Sequence, residues 1–263
     1  MHGPLITLLT DFGTRDHYVA AMKGVILAIN PLARIVDISH HIAPFQILEA
    51  AYTLSQAWHN FPDGTIHVAV VDPGVGSSRR PIVVRAGGHL FIGPDNGIFS
   101  LVLDSLGEYA ASEITNPRYT APNPGSTFHG RDIFAPIAAH VSTGVVYSEA
   151  GAPINDVRFL KSLRPLEISP LHWAGIVLHI DRFGNLITNF PSDKFPVKSD
   201  KSYVLLVGGI PVSQYHHYYG AAEPGIPFLI HGSSGYLEVS INQADAAATL
   251  GARAGQSLEL RWR

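Results

Sequence analysis

The chain has 263 residues, a length that fits one large domain or two modest ones, with 46% hydrophobic and 15% charged residues. Its formal net charge is −3 and no block of Lys or Arg stands out, which argues against nucleic-acid binding through phosphate contacts. Having no cysteine excludes disulfides, thiolate metal sites and cysteine nucleophiles. Because no leader-like segment and no run of 18 apolar residues is evident, we expect a cytoplasmic protein without a membrane partner.

Short apolar runs alternate with helical patterns over the part of the chain up to about residue 140. Strands are predicted at Pro4–Thr10, Ile35–Ile38, Thr65–Val71, Pro81–Arg85 and His89–Ile92, the last two turning at Gly87-Gly88. Helices are predicted at Asp16–Asn30, Gln46–Trp58, Asn96–Leu106 and Asp132–Val141. This alternation predicts an α/β domain, residues 1–150, whose parallel sheet has helices on both faces. Ligands of such sheets bind beyond the carboxyl ends of the strands.

The pattern changes after about residue 145. Residues 151–172 are rich in Pro, Arg and Leu without clear periodicity, which predicts a linker. Residues 173–263 then form short strands separated by Gly, Pro and Ser, predicted at Gly175–Asp181, Leu186–Asn189, Ser202–Val207, Ile226–His231, Tyr236–Ser240 and Ser257–Trp262. They predict a small β-barrel or sandwich domain with one helix near Asn242–Leu250.

Polar residues cluster where the predicted strands end. Asp11 follows the first strand, and Asp16 stands at a candidate N-cap of the first helix. Asp72 follows the third strand, and His129 precedes the last helix of the first domain. Each residue has a purely structural interpretation, since carboxylates form turns and helix caps and a histidine can lie in a surface loop.

Other common signatures are missing or incomplete. The pairs His40-His41 and His216-His217 lack the spacing of a metal site, so we expect no metal. The segment Gly74–Gly76 lacks the third glycine of a dinucleotide fingerprint, and neither a phosphate-binding Gly-x-x-x-x-Gly-Lys loop nor a Gly-x-Ser-x-Gly elbow occurs. A nicotinamide-dependent oxidoreductase on the α/β domain is therefore a remote alternative.

Five ordered motifs, LLTDFG, VDPGVGSSRR, FHGRDIFAP, DRFGNLITN and SSGYLEVSIN, resemble those of the S-adenosylmethionine hydroxide adenosyltransferases, relatives of the fluorinase and the chlorinase. The resemblance runs from Leu5 to Arg261. It implies a Rossmann-like N-terminal α/β domain joined to a small C-terminal β-barrel, in agreement with the pattern above. It also implies hydrolysis of S-adenosyl-L-methionine to adenosine and L-methionine without a cofactor. Finally, it implies a homotrimer whose active sites lie at subunit interfaces, between the N-terminal domain of one subunit and the C-terminal domain of the next.

The same resemblance implies a set of site residues. Asp72, Arg79 and His129 match the water-activating group; spacing from Asp72 favours Arg79, and Arg80 stays open as the alternative. Substrate-binding positions, in chain order, are Asp11 for the ribose hydroxyls, Asp16 for the methionine ammonium, Phe45 as a ring over the ribose, Gly130 beside the water, Asp181 for the ammonium, Phe183 for adenine stacking, Asn185 for an adenine hydrogen bond, Tyr218 for stacking, Ser233 for the methionine carboxylate, and Asn242 and Ala244 beside the adenine.

The sulfonium is already a good leaving group, so the reaction needs no acid to expel methionine. What it needs is a nucleophile stronger than ordinary water. A guanidinium from Arg79 against a bound water would favour its hydroxide-like form, while Asp72 and His129 would orient the water and help remove its proton. The water must attack C5′ in line with the departing sulfur.

Water is favoured over halide by three positions. Asp72, Val75 and Gly130 stand where the halogenases carry tyrosine, threonine and serine, and a carboxylate beside a halide is repelled at low dielectric. These positions argue against a halogenase, which is kept as an alternative. A second alternative is a protein that binds S-adenosylmethionine or adenosine with negligible turnover.

Overall fold

The computed structural model describes residues 3–161, 163–197 and 203–262. Its contacts divide the chain into two compact units, one up to Leu160 and one from Lys161 onward, which we call unit one and unit two. Unit one contains, in chain order, β1 (Leu5–Thr10), α1 (Tyr18–Ile29), β2 (Arg34–Ser39), α2 (Ile47–Ala57), β3 (Ile66–Val70), β4 (Pro81–Ala86), β5 (His89–Pro94), α3 (Ser100–Leu106), β6 (Ala110–Glu113), α4 (Ala135–Ser142) and β7 (Pro153–Ile154).

The seven strands of unit one form a single mixed sheet in the order β2-β1-β3-β5-β4-β6-β7. The four strands β2, β1, β3 and β5 are parallel, as predicted. The pair β4 and β5 is antiparallel, as its predicted turn requires, and β6 and β7 add two further antiparallel pairs, so the sheet is mixed and not wholly parallel. The reversal begins at the predicted turn Gly87-Gly88, where both glycines adopt the positive φ that a tight hairpin requires. The sequence analysis missed β6 and β7.

Two apolar cores cover the two faces of this sheet, which confirms helices on both sides. Along β3, Ile66, Val68 and Val70 join the core beneath α1 and α4, whereas Ala69 joins the core beneath α2 and α3. The alternation follows from the period of two of a β-strand. Since β1 connects to β2 on one side and lies beside β3 on the other, the carboxyl ends of β1 and β3 flank the point where ligands bind in such sheets.

Three helices of unit one begin two or more residues later than predicted: α1 at Tyr18, α3 at Ser100 and α4 at Ala135. Helix α1 begins at Tyr18, with His17 as its N-cap residue and without a side-chain cap, so the N-cap interpretation of Asp16 is wrong. Residues 14–17 form bends ahead of the helix and leave Asp16 exposed. A π-helical turn, Gly130–Phe134, precedes α4 and starts directly after His129. Turns of this kind often occur at functional sites because they redirect the side chains around them.

Unit two is an antiparallel sheet that curls into a barrel-like form around its own apolar core. Its elements are β8 (Leu166–Ser169), β9 (His172–Ile180), β10 (Leu186–Pro191), β11 (Tyr203–Val207), β12 (Ile210–Val212), β13 (Pro227–His231), β14 (Tyr236–Ile241), α5 (Ala246–Leu250) and β15 (Ser257–Trp262). The strand order is β12-β11-β15-β9-β10-β14-β13, with β8 paired to β9.

The sequence analysis missed β8 and β12. Both β7 and β8 fall inside the segment predicted as a linker, residues 151–172. Ser202, the predicted first residue of a strand, lies outside the described residues, and the strand is seen from Tyr203. None of the helices in the described ranges has the length and apolar character needed to cross a membrane.

Candidate active site

A cavity of about 430 Å³ lies in unit one, beyond the carboxyl ends of β1 and β3. We call it cavity one. Asp11 follows β1, and Asp72 follows β3 after one intervening residue. Because β1 and β3 are adjacent parallel strands, both carboxylates reach the same edge of the sheet. Of the predicted site residues, cavity one is lined by Asp11, Phe45, Asp72, His129 and Gly130.

Asp72, Arg79 and His129 form one hydrogen-bonded cluster. Nε of Arg79 donates to both carboxylate oxygens of Asp72 at 3.0 Å, and Nη2 donates to Oδ2 as well. Nη2 also lies 2.7 Å from Nδ1 of His129. The side chains of Asp72 and Arg79 are only 5% exposed each. The planar fork of a guanidinium matches a carboxylate in this way, and so restrains both side chains.

The contact with Arg79 assigns the proton of His129. A guanidinium has only donors, so Nδ1 of His129 accepts the hydrogen bond and the neutral ring carries its proton on Nε2. Burial, followed by the positive charge of Arg79, lowers the pKa of His129, while Asp72 and Asp132 oppose this shift. His129 is therefore neutral at neutral pH and can donate through Nε2.

Arg79 and Arg80 occupy different environments. The guanidinium of Arg79 stacks on the buried ring of Phe134, 5.3 Å from its centroid, behind the side chains of Asp72 and His129 that line the cavity. Its Nη1 is buried and has no hydrogen-bond partner among the described residues. Arg80 instead donates to Asp95 at 2.6 Å and to Asp156 at 2.7 Å. Arg79, and not Arg80, is therefore the arginine of the Asp72–His129 cluster.

Glycines fix the loop that carries Asp72 and Arg79. The loop closes through tight turns, with the amide of Val75 donating to the Asp72 carbonyl at 3.2 Å. Gly76 has φ +75°, and a Cβ built there would overlap the carbonyl oxygen of Ser126. Only glycine fits this close approach, which brings the loop against the segment that leads to His129.

Asp11 organises the loop that carries Phe45. Its Oδ2 accepts the backbone N–H of Phe45 at 2.9 Å. Phe45 has φ +69°, a conformation that costs energy for any residue with a Cβ, and the residue is 68% exposed at the cavity. Strained residues of this kind are held by their surroundings and are found at ligand sites. Behind Asp11, Oγ1 of Thr10 lies 2.8 Å from Nδ1 of the buried His40.

Gly130 lies against three large side chains. A Cβ built on Gly130 would lie 3.1 Å from Sδ of Met22 and 3.3 Å from the rings of Phe12 and Phe128. The rings of Phe12 and Phe128 pack edge to face, at 5.9 Å between centroids, and both line cavity one together with Tyr18. The sequence analysis did not assign these three aromatic residues, although Phe12 and Phe128 stand inside the motifs TDFG and FHGRD. Asp16 is exposed and does not line this cavity.

A second cavity, of about 660 Å³, lies in unit two. We call it cavity two. Of the predicted site residues, it is lined by Asp181, Phe183, Asn185, Ser233 and Ala244.

Most of the hydrogen-bonding capacity of Asp181 is used by its own turn. Oδ1 accepts the backbone N–H groups of Phe183 and Asn185, each at 2.9 Å, and Oδ2 accepts from Nδ2 of Asn185 at 2.8 Å. This turn carries Phe183, which lines the cavity and is 76% exposed. Within the part of the chain that the structure describes, these bonds leave one lone-pair direction of the carboxylate for a ligand.

Two other predicted positions do not line cavity two, whereas their neighbours in sequence do. Tyr219 lines it, whereas Tyr218 does not and is 65% exposed. Gln243, with φ +57°, lines it, whereas the side-chain amide of Asn242 donates to the carbonyl of Ala222 at 2.8 Å. No local signal separates adjacent residues in a loop, so the tertiary structure was needed for both.

Unit one is an α/β unit with an acid, an arginine and a histidine clustered at a strand-end cavity, and unit two is a barrel-like unit with its own cavity, a combination typical of a two-domain enzyme. Residues 6–151 match the family model of the SAM hydroxide adenosyltransferase N-terminal domain, and residues 175–259 match that of the C-terminal domain. The chain belongs to the SAM hydroxide adenosyltransferase family.

The chain is similar to two proteins named (R)-S-adenosyl-L-methionine hydrolase. That of Methanocaldococcus jannaschii is 42% identical over 74% of this chain and 70% of its own length, and that of Thermus thermophilus is 36% identical over 97% and 98%. A crystal structure of an uncharacterized conserved protein from Thermotoga maritima superposes with a TM-score of 0.88 at 36% identity, over 97% of this chain and 99% of that one. Fluorinases are also similar, at identities of 25–28%.

Proposed function

We propose that this enzyme hydrolyses S-adenosyl-L-methionine to adenosine and L-methionine by attack of water on the ribose C5′ carbon. The observation that carries the proposal is the buried Asp72–Arg79–His129 cluster, two members of which line cavity one. The relatives named for this activity cover most of the chain and support it. Their name specifies the (R) form of the substrate, and we propose the same form here.

The proposed chemistry uses each group of the cluster differently. The water oxygen forms a bond to C5′ while the C5′–sulfur bond breaks, and the electron pair stays on sulfur as the thioether of methionine. Once the new C–O bond begins to form, the protons of the water become strongly acidic, so a weak base is sufficient. We assign this base to Asp72, assign His129 as the N–H donor that orients the water, and assign Arg79 as the charge that holds both in place.

The remaining assignments concern substrate binding and stay part of the proposal. Asp11 is suited to the ribose hydroxyls, because a carboxylate can accept two hydrogen bonds from a diol. Cavity two, with Phe183, Asn185 and Ser233, offers a ring, an amide and a hydroxyl for the adenine and the methionine carboxylate. We propose that a homotrimer brings the two kinds of cavity together across subunit boundaries. A cytoplasmic location completes the proposal.

Two other functions remain as outcomes of the test. A halogenase would place a halide beside Asp72, where a carboxylate lining the cavity repels it. A binding protein would hold the substrate without turning it over.

The test is incubation with S-adenosyl-L-methionine in water enriched in oxygen-18. We expect adenosine with one heavy oxygen at the 5′ position, methionine without label, and loss of most turnover in Asp72→Asn. Unlabelled adenosine contradicts the proposal. A 5′-halogenated product on addition of chloride or fluoride indicates a halogenase instead, and tight binding without product indicates a binding protein.

A further inference from the structure

Glu238 is a buried acid that the proposed reaction does not use. It lies on β14, only 5% exposed, directly opposite Ile230 of β13 and Ile187 of β10. No Lys or Arg of the described residues lies within ion-pair distance of its carboxyl group. Burying an acid without a neighbouring cation costs free energy, so its hydrogen-bond partners must offset that cost.

Those partners belong to two segments at the edge of cavity two. The hydroxyl of Tyr219 donates to Oε2 of Glu238, and the hydroxyl of Ser234 donates to Oε1, each at 3.3 Å. Burial, followed by the charge of Glu238, raises the pKa of Tyr219 to about 12, so Tyr219 keeps its proton and remains a donor. Both hydroxyls therefore point at the same carboxyl group.

The turn around Ser233 is built against this carboxyl group. Gly232 and Gly235 close the turn, with the Gly235 amide donating to the Gly232 carbonyl at 3.2 Å. A Cβ built on Gly232 would overlap Oε1 of Glu238, so the carboxyl group fills the space that a side chain at position 232 would need. A side chain at position 232 would have to displace the carboxyl group of Glu238.

Glu238 supports two of the residues that line cavity two. Tyr219 and Ser233 line that cavity, and Glu238 binds the first directly and the second through its neighbours Gly232 and Ser234. Burial raises the pKa of Glu238, its hydrogen bonds from Ser234 and Tyr219 lower it, and the nearby Asp181 raises it further. Asp181 also lines the cavity, so the acid is coupled to three of its lining residues.

We propose that Glu238 is a positioning residue for substrate binding, which holds Tyr219 and the Gly232–Gly235 turn in place to receive one end of S-adenosyl-L-methionine. This inference rests on the proposed function for the identity of the ligand. It assigns Glu238 to binding and not to the chemical step, because its carboxyl group contacts residues at the edge of cavity two, which the proposed function gives to substrate binding.

The test compares Glu238→Ala and Glu238→Gln with Glu167→Gln, a control at an exposed glutamate on β8 of the same unit. We expect KM for S-adenosyl-L-methionine to rise about tenfold in Glu238→Ala and about threefold in Glu238→Gln, which keeps one acceptor oxygen, with kcat within about twofold of wild type. Glu167→Gln is expected to match wild type. In the Glu238→Ala background, Tyr219→Phe and Ser234→Ala are expected to add little, because the acceptor they share is gone.

Calorimetric binding of S-adenosyl-L-methionine separates this inference from the proposed function. If wild type binds the substrate but releases no adenosine, the proposed function fails. The ratio of the dissociation constants of the Glu238 variants to that of wild type still tests the role of Glu238. An unchanged KM and dissociation constant in both Glu238 variants overturns the inference. So does a fall in kcat with KM unchanged, or full additivity of Tyr219→Phe with Glu238→Ala. Should Glu238→Ala not fold, Glu238→Gln decides by the same criteria.

Discussion

Nη2 of Arg79 lies 2.7 Å from Nδ1 of His129, and it also donates to Oδ2 of Asp72. One nitrogen thus ties together the acid and the imidazole that line cavity one. Because Nδ1 is occupied as an acceptor, the neutral ring of His129 is a donor at Nε2 and has no free lone pair for a proton. The sequence analysis gave His129 a part in removing the proton from water. The contact with Arg79 favours Asp72 for that step.

Replacing His129 by two amides tests this assignment. The amide nitrogen of glutamine lies near the place of Nε2, whereas asparagine reaches only the place of Nδ1. We expect His129→Gln to lose about tenfold in kcat and His129→Asn at least about a hundredfold, because only the first keeps a donor toward the water. Steady-state release of adenosine is the measurement. Equal losses, or a better asparagine variant, would contradict the assignment of the donor.

The two adjacent arginines offer a matched pair. Lysine keeps the charge but cannot form the fork that Arg79 makes with Asp72 while also reaching His129. We expect Arg79→Lys to lower kcat by about a hundredfold, with KM much less affected. Arg80→Lys is expected to stay within about threefold of wild type in kcat and to lower the melting temperature, because it loosens contacts with Asp95 and Asp156. If Arg80→Lys lowered kcat and Arg79→Lys did not, the assignment of Arg79 to the catalytic cluster would be contradicted.

We expect any side chain at position 130 to lower the stability of the protein. A Cβ there meets Sδ of Met22 at 3.1 Å and two aromatic rings at 3.3 Å, so these neighbours must move. We expect Gly130→Ala and Gly130→Ser each to lower the free energy of unfolding by about 1–3 kcal/mol. We also expect Gly130→Ser to gain no halogenation activity, since Asp72 still lines the cavity. Thermal unfolding and product analysis with added chloride are the measurements; a stable serine variant that halogenates would contradict both expectations.

Phe45 combines an unfavourable backbone conformation with an exposed ring at the cavity. Glycine accepts φ +69° without strain, whereas alanine does not. We therefore expect Phe45→Gly to be about 1 kcal/mol more stable to unfolding than Phe45→Ala. Both variants lack the ring, so KM for the substrate is expected to rise by the same factor in each. If the alanine variant were as stable as the glycine variant, the strain would not exist in solution.

A buried pair of histidines predicts a loss of stability in acid. His67 is fully buried, with Nδ1 2.8 Å from Oγ1 of Thr7 and Nε2 3.2 Å from Nδ1 of His89. Burial, and then the neighbouring His89, lowers the pKa of His67 from 6.5 to about 3, and burial also lowers the pKa of His89. In the unfolded chain His67 takes up a proton near pH 6.5, whereas in the folded chain it stays neutral at that pH. Stability is therefore complete above pH 6.5 and falls as the pH drops below it, by about 1.4 kcal/mol per pH unit for His67.

Urea unfolding between pH 7.5 and 5 measures this slope. We expect His67→Gln to reduce the dependence of the unfolding free energy on pH by about 1.4 kcal/mol per unit below pH 6, since one titrating group is removed. His217→Gln, at an exposed histidine, serves as the control and is expected to keep the wild-type slope. Identical slopes in all three proteins would mean that His67 is protonated in the folded state.

The predicted fold was most accurate where a pattern repeats along the chain. The strand at β15, Ser257–Trp262, agrees with its prediction residue for residue, and the parallel strands β1, β2 and β3 agree within one or two residues at each end. The prediction failed for short edge strands such as β7 and β12, because two or three residues carry too little periodicity to be distinguished from a loop. It also missed the start of α1, because the choice between Asp16 and His17 as the cap depends on how the preceding bend packs.

The sequence by itself determined the class of fold, the ordered motifs and the residue types of the site, because these follow from local periodicity and from side-chain chemistry. Only the tertiary structure showed that Arg79, and not Arg80, contacts His129 and that Tyr219, and not Tyr218, lines cavity two, and only it brought Glu238 to the edge of that cavity. Neighbours in sequence have nearly the same local context, so nothing local separates them. Which of them points into a cavity depends on contacts between segments far apart in the chain, and those contacts exist only when the chain is folded.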